Sequence, residues 1–213
     1  VWVAKDKVAG AKAAIAAGAT VLILDDGLQN PSLYKDISFL VVDATRAFGN
    51  ECVLPAGPLR ETVQDVLAKT TAIIWIGAEK NTDNDALRTT LAKQKLLLRA
   101  TATTHALNGE LFGQSLYAFC GLGHAQKFYD GLTRARAKLL KTPDFADHYG
   151  WSTYELRKLL DEAKTLGARP VTTAKDAVRI PPSLRGEILI CDVEIQFADE
   201  HALQHQLRTL FKP

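Results

Sequence analysis

The sequence predicts an α/β fold built on a mainly parallel sheet, and two observations carry that prediction. Short, fully apolar runs recur at residues 20–24 (TVLIL), 38–42 (SFLVV) and 72–76 (AIIWI), the pattern of strands buried on both faces. Helix-type segments alternate with strand-type segments along the chain, the rhythm of βαβ units.

In order, residues 1–4 read as a strand already under way and the Ala-rich stretch 8–17 as a helix. The three apolar runs are strands, and residues 62–69 form a short helix ahead of the third. The middle changes character: residues 96–104 and 110–112 read as strands around an Asn108-Gly109 hairpin turn. Residues 116–120 form a strand that ends in Gly121-Leu122-Gly123, and residues 125–141 form a helix. Ser152, with Glu155 three residues on, opens a helix over 152–166 as a capping box. Residues 169–173 and 188–197 are strands, and 200–211 a closing helix. A boundary within residues 78–115 divides the chain into an N-terminal domain (1–95), a hairpin or linker region (96–115) and a C-terminal α/β domain (116–213). No internal repeat or low-complexity tract is visible.

The 213 residues suffice for one large or two small domains, and 47% hydrophobic with 23% charged residues is the balance of a globular chain. No run approaches eighteen apolar residues, so no membrane span is visible. A net charge of +2 excludes a nucleic-acid partner held by bulk attraction. The three cysteines, Cys52, Cys120 and Cys191, are widely separated and lack zinc spacing, so they read as buried thiols of a reducing compartment. No signal-peptide pattern opens the chain. It begins at Val1 and contains no Met, which reads as a fragment whose upstream part is absent.

The densest chemistry lies in Val21-Leu22-Ile23-Leu24-Asp25-Asp26-Gly27-Leu28-Gln29. Read as a buried strand followed by two carboxylates, it puts Asp25 and Asp26 at a strand's C-terminal tip, where open α/β sheets bind ligands. Gly27 allows a sharp turn. Carboxylates there hold Mg²⁺ beside nucleotide phosphates in P-loop enzymes; a plain turn or helix-cap pair is the competing reading. Phe48-Gly49-Asn50 and Leu54-Pro55-Ala56-Gly57-Pro58-Leu59-Arg60-Glu61 follow the strand ending at Asp43. Two prolines and two glycines make a stiff loop presenting a guanidinium, suited to a phosphate or simply to a surface ion pair with Glu61.

Taken together, DDGLQ, FGN and LPAGPLRE resemble the lipid A 4'-kinase (tetraacyldisaccharide 4'-kinase) family. So do Ala118-Phe119-Cys120-Gly121-Leu122-Gly123 with Lys127-Phe128, Phe145-Ala146-Asp147-His148, and Val171-Thr172-Thr173-Ala174-Lys175-Asp176-Ala177-Val178. These motifs, in this order, span nearly the whole chain. The resemblance implies a P-loop-kinase-like sheet with helices on both faces, a second smaller α/β lobe, a β-ribbon linker, and an active site between the domains. It implies transfer of the ATP γ-phosphate to the 4'-hydroxyl of a tetraacyldisaccharide 1-phosphate, with ATP and Mg²⁺ as cofactors, at the cytoplasmic face of the bacterial inner membrane.

On this resemblance Asp25 and Asp26 hold the metal. Asp25 and Asp26 sit at the nucleotide site, the Arg60–Glu61 loop contributes nucleotide or substrate phosphate contacts, and Asp26 and His148 serve catalysis; Gln29 and Lys175 are further nucleotide-contact candidates from their positions. His148 pairs with a catalytic aspartate that in the family precedes DDG. Two departures stand out. No GxxxxGK(S/T) phosphate loop occurs in the chain, so the 213 residues alone are expected to be inactive. Many members carry a His pair where this chain has His148-Tyr149, so the role falls on His148 and Tyr149 has none assigned.

The other histidines read blandly: His105 beside the hairpin, and His201 and His205 one turn apart without a third metal ligand. His124, after a strand tip and at a helix start, is a further candidate. Lys175, at a strand edge, suits a phosphate or a solvated surface. A helix carrying Lys127, Arg134, Arg136, Lys138 and Lys141, with Leu132, Leu139 and Leu140 on its apolar side, suits an anionic lipid surface or plain solvent. Two rival functions are a metal-using glycosyltransferase, which needs no phosphate loop, and a non-catalytic relative.

Overall fold

The computed structural model describes residues 1–77 and 84–211. It divides into two compact units, Val1–Thr101 with Phe197–Pro213, and Ala102–Gln196. Residues 78–83, part of the expected boundary stretch, lie outside the described residues.

In the first unit, α1 (Lys7–Ala16) starts at Asp6, whose carboxylate accepts from the Val8 and Ala9 N–H groups at 2.8 and 3.1 Å. Strands β1 (Phe39–Asp43) and β2 (Ala72–Ile76) run parallel, Val42 opposite Trp75, and β2 runs parallel to β3 (Leu96–Ala106). Helices α2 (Val63–Lys69) and α3 (Asp85–Gln94) are the crossovers that parallel pairing demands; α3 carries no clear sequence signal. Val42, Ile73 and Trp75 from the strands, with Phe48, Leu67 and Leu91, form this unit's core.

Two expected strands are absent. Residues 1–4 and 20–24 have no regular pairing, and Val3 and Ile23 are almost fully exposed. A strand is held by its ladder and by neighbours on its faces. Among the described residues neither run has a pairing strand, so apolarity alone leaves each irregular.

In the second unit β4 (Ser115–Ala118) lies between β5 (Lys138–Lys141) and β6 (Arg169–Thr173), all parallel, and β6 pairs in parallel with β7 (Leu189–Phe197). The β4 segment is buried on both faces. Leu116, Ala118 and Cys120 pack with Phe128 and Leu132 of α4 (Ala125–Arg134), while Tyr117 and Phe119 pack with Leu156 and Leu159 of α5 (Thr153–Thr165). Strands β3 and β7 form an antiparallel ribbon, with Ala198 N–H on Arg99 C=O (2.9 Å) in the first unit and Leu107 N–H on Ile190 C=O (2.8 Å) in the second. Short α6 (Ala174–Ala177) and α7 (Pro182–Arg185) separate β6 from β7. Helix α8 (Glu200–Arg208), continued by a 3₁₀ turn over Thr209–Phe211, follows in the first unit.

The structure corrects three further expectations. No Asn108-Gly109 hairpin forms. The Asn108 amide instead extends the β7 ladder, donating to Ile188 C=O and accepting from Ile190 N–H. The helix expected over 125–141 stops at Arg134, where Arg136 takes a positive φ of 60° and Ala137 N–H closes on Leu132 C=O. Lys138 and Lys141 therefore belong to a strand, and the expected continuous basic helix does not exist. Of the cysteines, Cys120 and Cys191 are buried and Cys52 is exposed; all three are free thiols. Burial pushes the Cys191 thiol up to about 12.

Candidate functional site

The first cluster joins two loops of the first unit. Asp25 and Asp26 sit in an exposed turn, Asp26 with φ of 50°, rather than at a strand tip. The Arg60 guanidinium reaches the Asp26 carboxylate at 2.7 Å, and Gln29 Nε2 donates to Glu61 Oε1 at 3.0 Å. Lys69 of α2 donates to the other Glu61 oxygen. DDGLQ and LRE, more than thirty residues apart, are thus pinned by two cross-loop contacts.

The second loop is stiff for a visible reason. Asn50 Nδ2 donates to Ala56 C=O at 2.9 Å and its Oδ1 accepts from Cys52 N–H. Leu54 N–H bonds Leu59 C=O, and Leu59 N–H bonds Cys52 C=O. A Cβ at Gly57 would lie 2.2 Å from Asn50 Oδ1 and 2.4 Å from Cys52 C=O, so only glycine fits. Phe48, buried beside β1, anchors the FGN turn in the core. FGN and LPAGPLRE are one structure that presents Arg60 and Glu61.

The second cluster lies within the second unit and joins three motifs. Asp176, fully buried, accepts from Gly121 N–H at 3.1 Å and from Thr173 Oγ at 2.8 Å. Its other oxygen meets Arg179 Nη1 at 3.3 Å. Arg179 Nη2 lies 2.7 Å from His148 Nδ1, and His148 N–H bonds Gly121 C=O at 2.9 Å. His148 holds φ of 57°, and its side chain is 78% exposed. Asp147 accepts from Gly123 N–H at 3.0 Å.

The loop carrying Asp147 and His148 is clamped by Phe145, Tyr149 and Trp151, which contact one another at 5.0–5.6 Å between ring centres, Trp151 also meeting Phe119 edge-on. The Tyr149 hydroxyl donates to Glu155, whose carboxylate also receives the Ser152 hydroxyl and N–H. These bonds hold the Glu155 carboxyl below the usual range, Ser152 contributing most. Tyr149 therefore ties the histidine loop to the start of α5.

Of the residues singled out from sequence, Asp26, Gln29, Arg60 and Glu61 come together. Asp25 is exposed beside Asp26, Lys175 is exposed at the start of α6, and His124 is the N-cap residue of α4. Sequence reasoning missed Arg179 and the central place of Asp176. The signals were short-range: Thr173 and Asp176 stand at N-cap and N3 of α6, and Asp176–Arg179 is an i, i+3 pair.

Among the described residues no group of three or more His, Cys, Asp or Glu side chains is placed to hold a metal ion. Two exposed carboxylates at one turn fit Mg²⁺, which takes one or two carboxylates and completes its shell with waters and phosphate oxygens.

A family model described as tetraacyldisaccharide-1-P 4'-kinase matches residues 1–212. The chain belongs to that family. It is 42% identical over 209 residues to the tetraacyldisaccharide 4'-kinase of Rhodospirillum centenum, covering 98% of this chain and 61% of that protein. It is 44% identical over 211 residues to the one from Dinoroseobacter shibae, covering 99% and 63%. The chain thus spans somewhat over three-fifths of the length of these curated relatives. Among solved structures it resembles the "apo" form of LpxK from Aquifex aeolicus in complex with ATP, with TM-score 0.61 and 21% identity over 87% of this chain and 56% of that one. That likeness shows the α/β fold.

Proposed function

We propose that this chain takes part in ATP-dependent phosphorylation of the 4'-hydroxyl of a tetraacyldisaccharide 1-phosphate, with Mg²⁺, as a step of lipid A synthesis. The observation that carries the reading is the pinning of DDGLQ to LRE by the Asp26–Arg60 and Gln29–Glu61 contacts, in a chain that belongs to this family.

Phosphoryl transfer asks for positioning and charge neutralisation more than covalent chemistry from the protein. Asp25 and Asp26 would hold Mg²⁺, which would offset charge on the phosphates of ATP, the donor of the γ-phosphoryl group. Arg60 fixes the Asp26 carboxylate, and Gln29 with Glu61 holds the two loops in register. Arg60 and Lys175 offer cationic groups to phosphate oxygens. A guanidinium only donates, so His148 Nδ1 is an acceptor and the ring proton sits on Nε2. His148 then donates from Nε2 to a carboxylate that takes the proton of the sugar hydroxyl, orienting that base.

A lipid substrate would bring the enzyme to a membrane surface, the cytoplasmic face of the bacterial inner membrane. No helix among the described residues is long and apolar enough to cross a membrane, and contact with the bilayer would be peripheral for this part of the protein.

The test is kinetic, in the full-length gene product. Asp26→Ala and His148→Ala should each lower kcat by more than tenfold, about 1.4 kcal/mol of barrier. Retention of kcat within tenfold by both variants would sink the proposal.

A further inference from the structure

The bonds around His148 close into a ring. Gly121 donates its N–H to Asp176 and accepts the His148 N–H on its carbonyl; Asp176 holds Arg179, and Arg179 reaches back to His148 Nδ1. Asp176 has no solvent exposure, whereas the His148 side chain is mostly exposed. The ring thus connects a rigid buried carboxylate to an exposed imidazole through one guanidinium.

We infer that Arg179, seated on Asp176, is a positioning residue that holds the His148 ring in its Nε2–H form, with Nε2 on the side of the Asp147 carboxylate 3.9 Å away. An exposed histidine at positive φ has few restraints of its own. The ring contacts among Phe145, Tyr149 and Trp151 hold its loop and do not include the imidazole. Arg179 supplies the missing restraint at 2.7 Å. The hydrogen bond made by one ring nitrogen decides which tautomer the other presents. Asp176 holds the guanidinium from below, as partners behind a working histidine hold it elsewhere. The inference rests on the proposed function only in taking His148 as a working residue of phosphoryl transfer.

The test has two readouts. Long-range ¹H–¹⁵N correlation spectra of histidine-labelled protein, at about pH 8.5 and so above the ordinary imidazole pKa of about 6.5, report the tautomer without any need for activity. Wild type should show His148 with a single Nε2–H tautomer and a hydrogen-bonded Nδ1. Arg179→Ala should admit a measurable Nδ1–H population, and Arg179→Lys should suppress it again. In the full-length gene product Arg179→Ala should lower kcat by about tenfold with KM for ATP held within about twofold, because only orientation is lost. Arg179→Lys should recover part of that loss.

An unchanged tautomer in folded Arg179→Ala overturns the inference. So does full kcat in that variant where His148→Ala is impaired. If Arg179→Ala does not fold, the wild-type spectrum decides, since a ring protonated on Nδ1 is incompatible with the Arg179 contact. A tautomer shift in Arg179→Ala with His148→Ala kinetically silent supports the coupling and overturns the kinase role of His148 instead.

Discussion

The two clusters hold their polar groups in opposite ways. Around Asp26 the ion pair joins exposed side chains, Arg60 and Asp26 being 60% and 65% exposed, while Glu61 is largely covered, and the stiffness comes from the loop beneath them, through Asn50, Gly57 and Phe48. Around His148 the anchor itself is buried, since Asp176 is fully enclosed and bonded on both oxygens. An exposed ion pair contributes little because water competes for both partners. A buried carboxylate whose partners are removed leaves groups that water cannot reach. The first cluster should therefore be separable from folding, and the second should not.

The largest expected effect follows from that contrast. Asp176→Ala strips the partner from Gly121 N–H, Thr173 Oγ and Arg179 at once and should destabilise the second unit by about 3 kcal/mol. Chemical denaturation followed by tryptophan fluorescence of Trp151 measures it. A loss below about 1 kcal/mol would erase the distinction between the clusters.

A smaller effect concerns Glu162, on α5 of the same unit. Its carboxyl is held below the usual range by the hydrogen bond from Lys141 and then by the Tyr117 hydroxyl, and burial, with the same contact second, raises the Tyr117 phenol. A lowered carboxyl stabilises the fold above its unfolded-state pKa, and that contribution fades as pH falls through the lowered folded value. The difference in Tm between wild type and Glu162→Gln should therefore be widest at neutral pH and close below the carboxylate range. A difference independent of pH would mean that ionisation of Glu162 adds nothing.

The smallest effect belongs to the exposed cluster. Arg60→Ala should change stability by no more than about 0.5 kcal/mol, measured by thermal melting of the same protein. A cost several times larger would show that the cross-loop pair holds the fold and would undo the contrast.

Much of the second unit was legible in advance. The 152–166 helix appears as Thr153–Thr165 with its capping box, and residues 169–173 form β6 as expected. Both signals are local, a cap and an apolar run with buried neighbours. In the first unit 72–76 was readable for the same reason, whereas 20–24 was not, because an equally apolar run needs pairing strands that no local pattern supplies. The helix expected to continue to residue 141 stops at Arg134, and Lys138–Lys141 pair beside β4 instead, a tertiary contact that overrides helical propensity.

By itself the sequence determined the α/β class, the order of its clearest elements and the motifs that bear chemistry, because these rest on residue type and spacing along the chain. Only the tertiary structure decided which of those motifs meet. Asp26 finds Arg60 across a span of thirty-four residues and His148 finds Arg179 across thirty-one, and such encounters depend on how loops and strands are packed, which spacing along the chain does not encode. Arg179 shows this most clearly: in sequence it is one more surface cation after a short helix, and only burial of Asp176 beside Gly121 turns it toward the histidine.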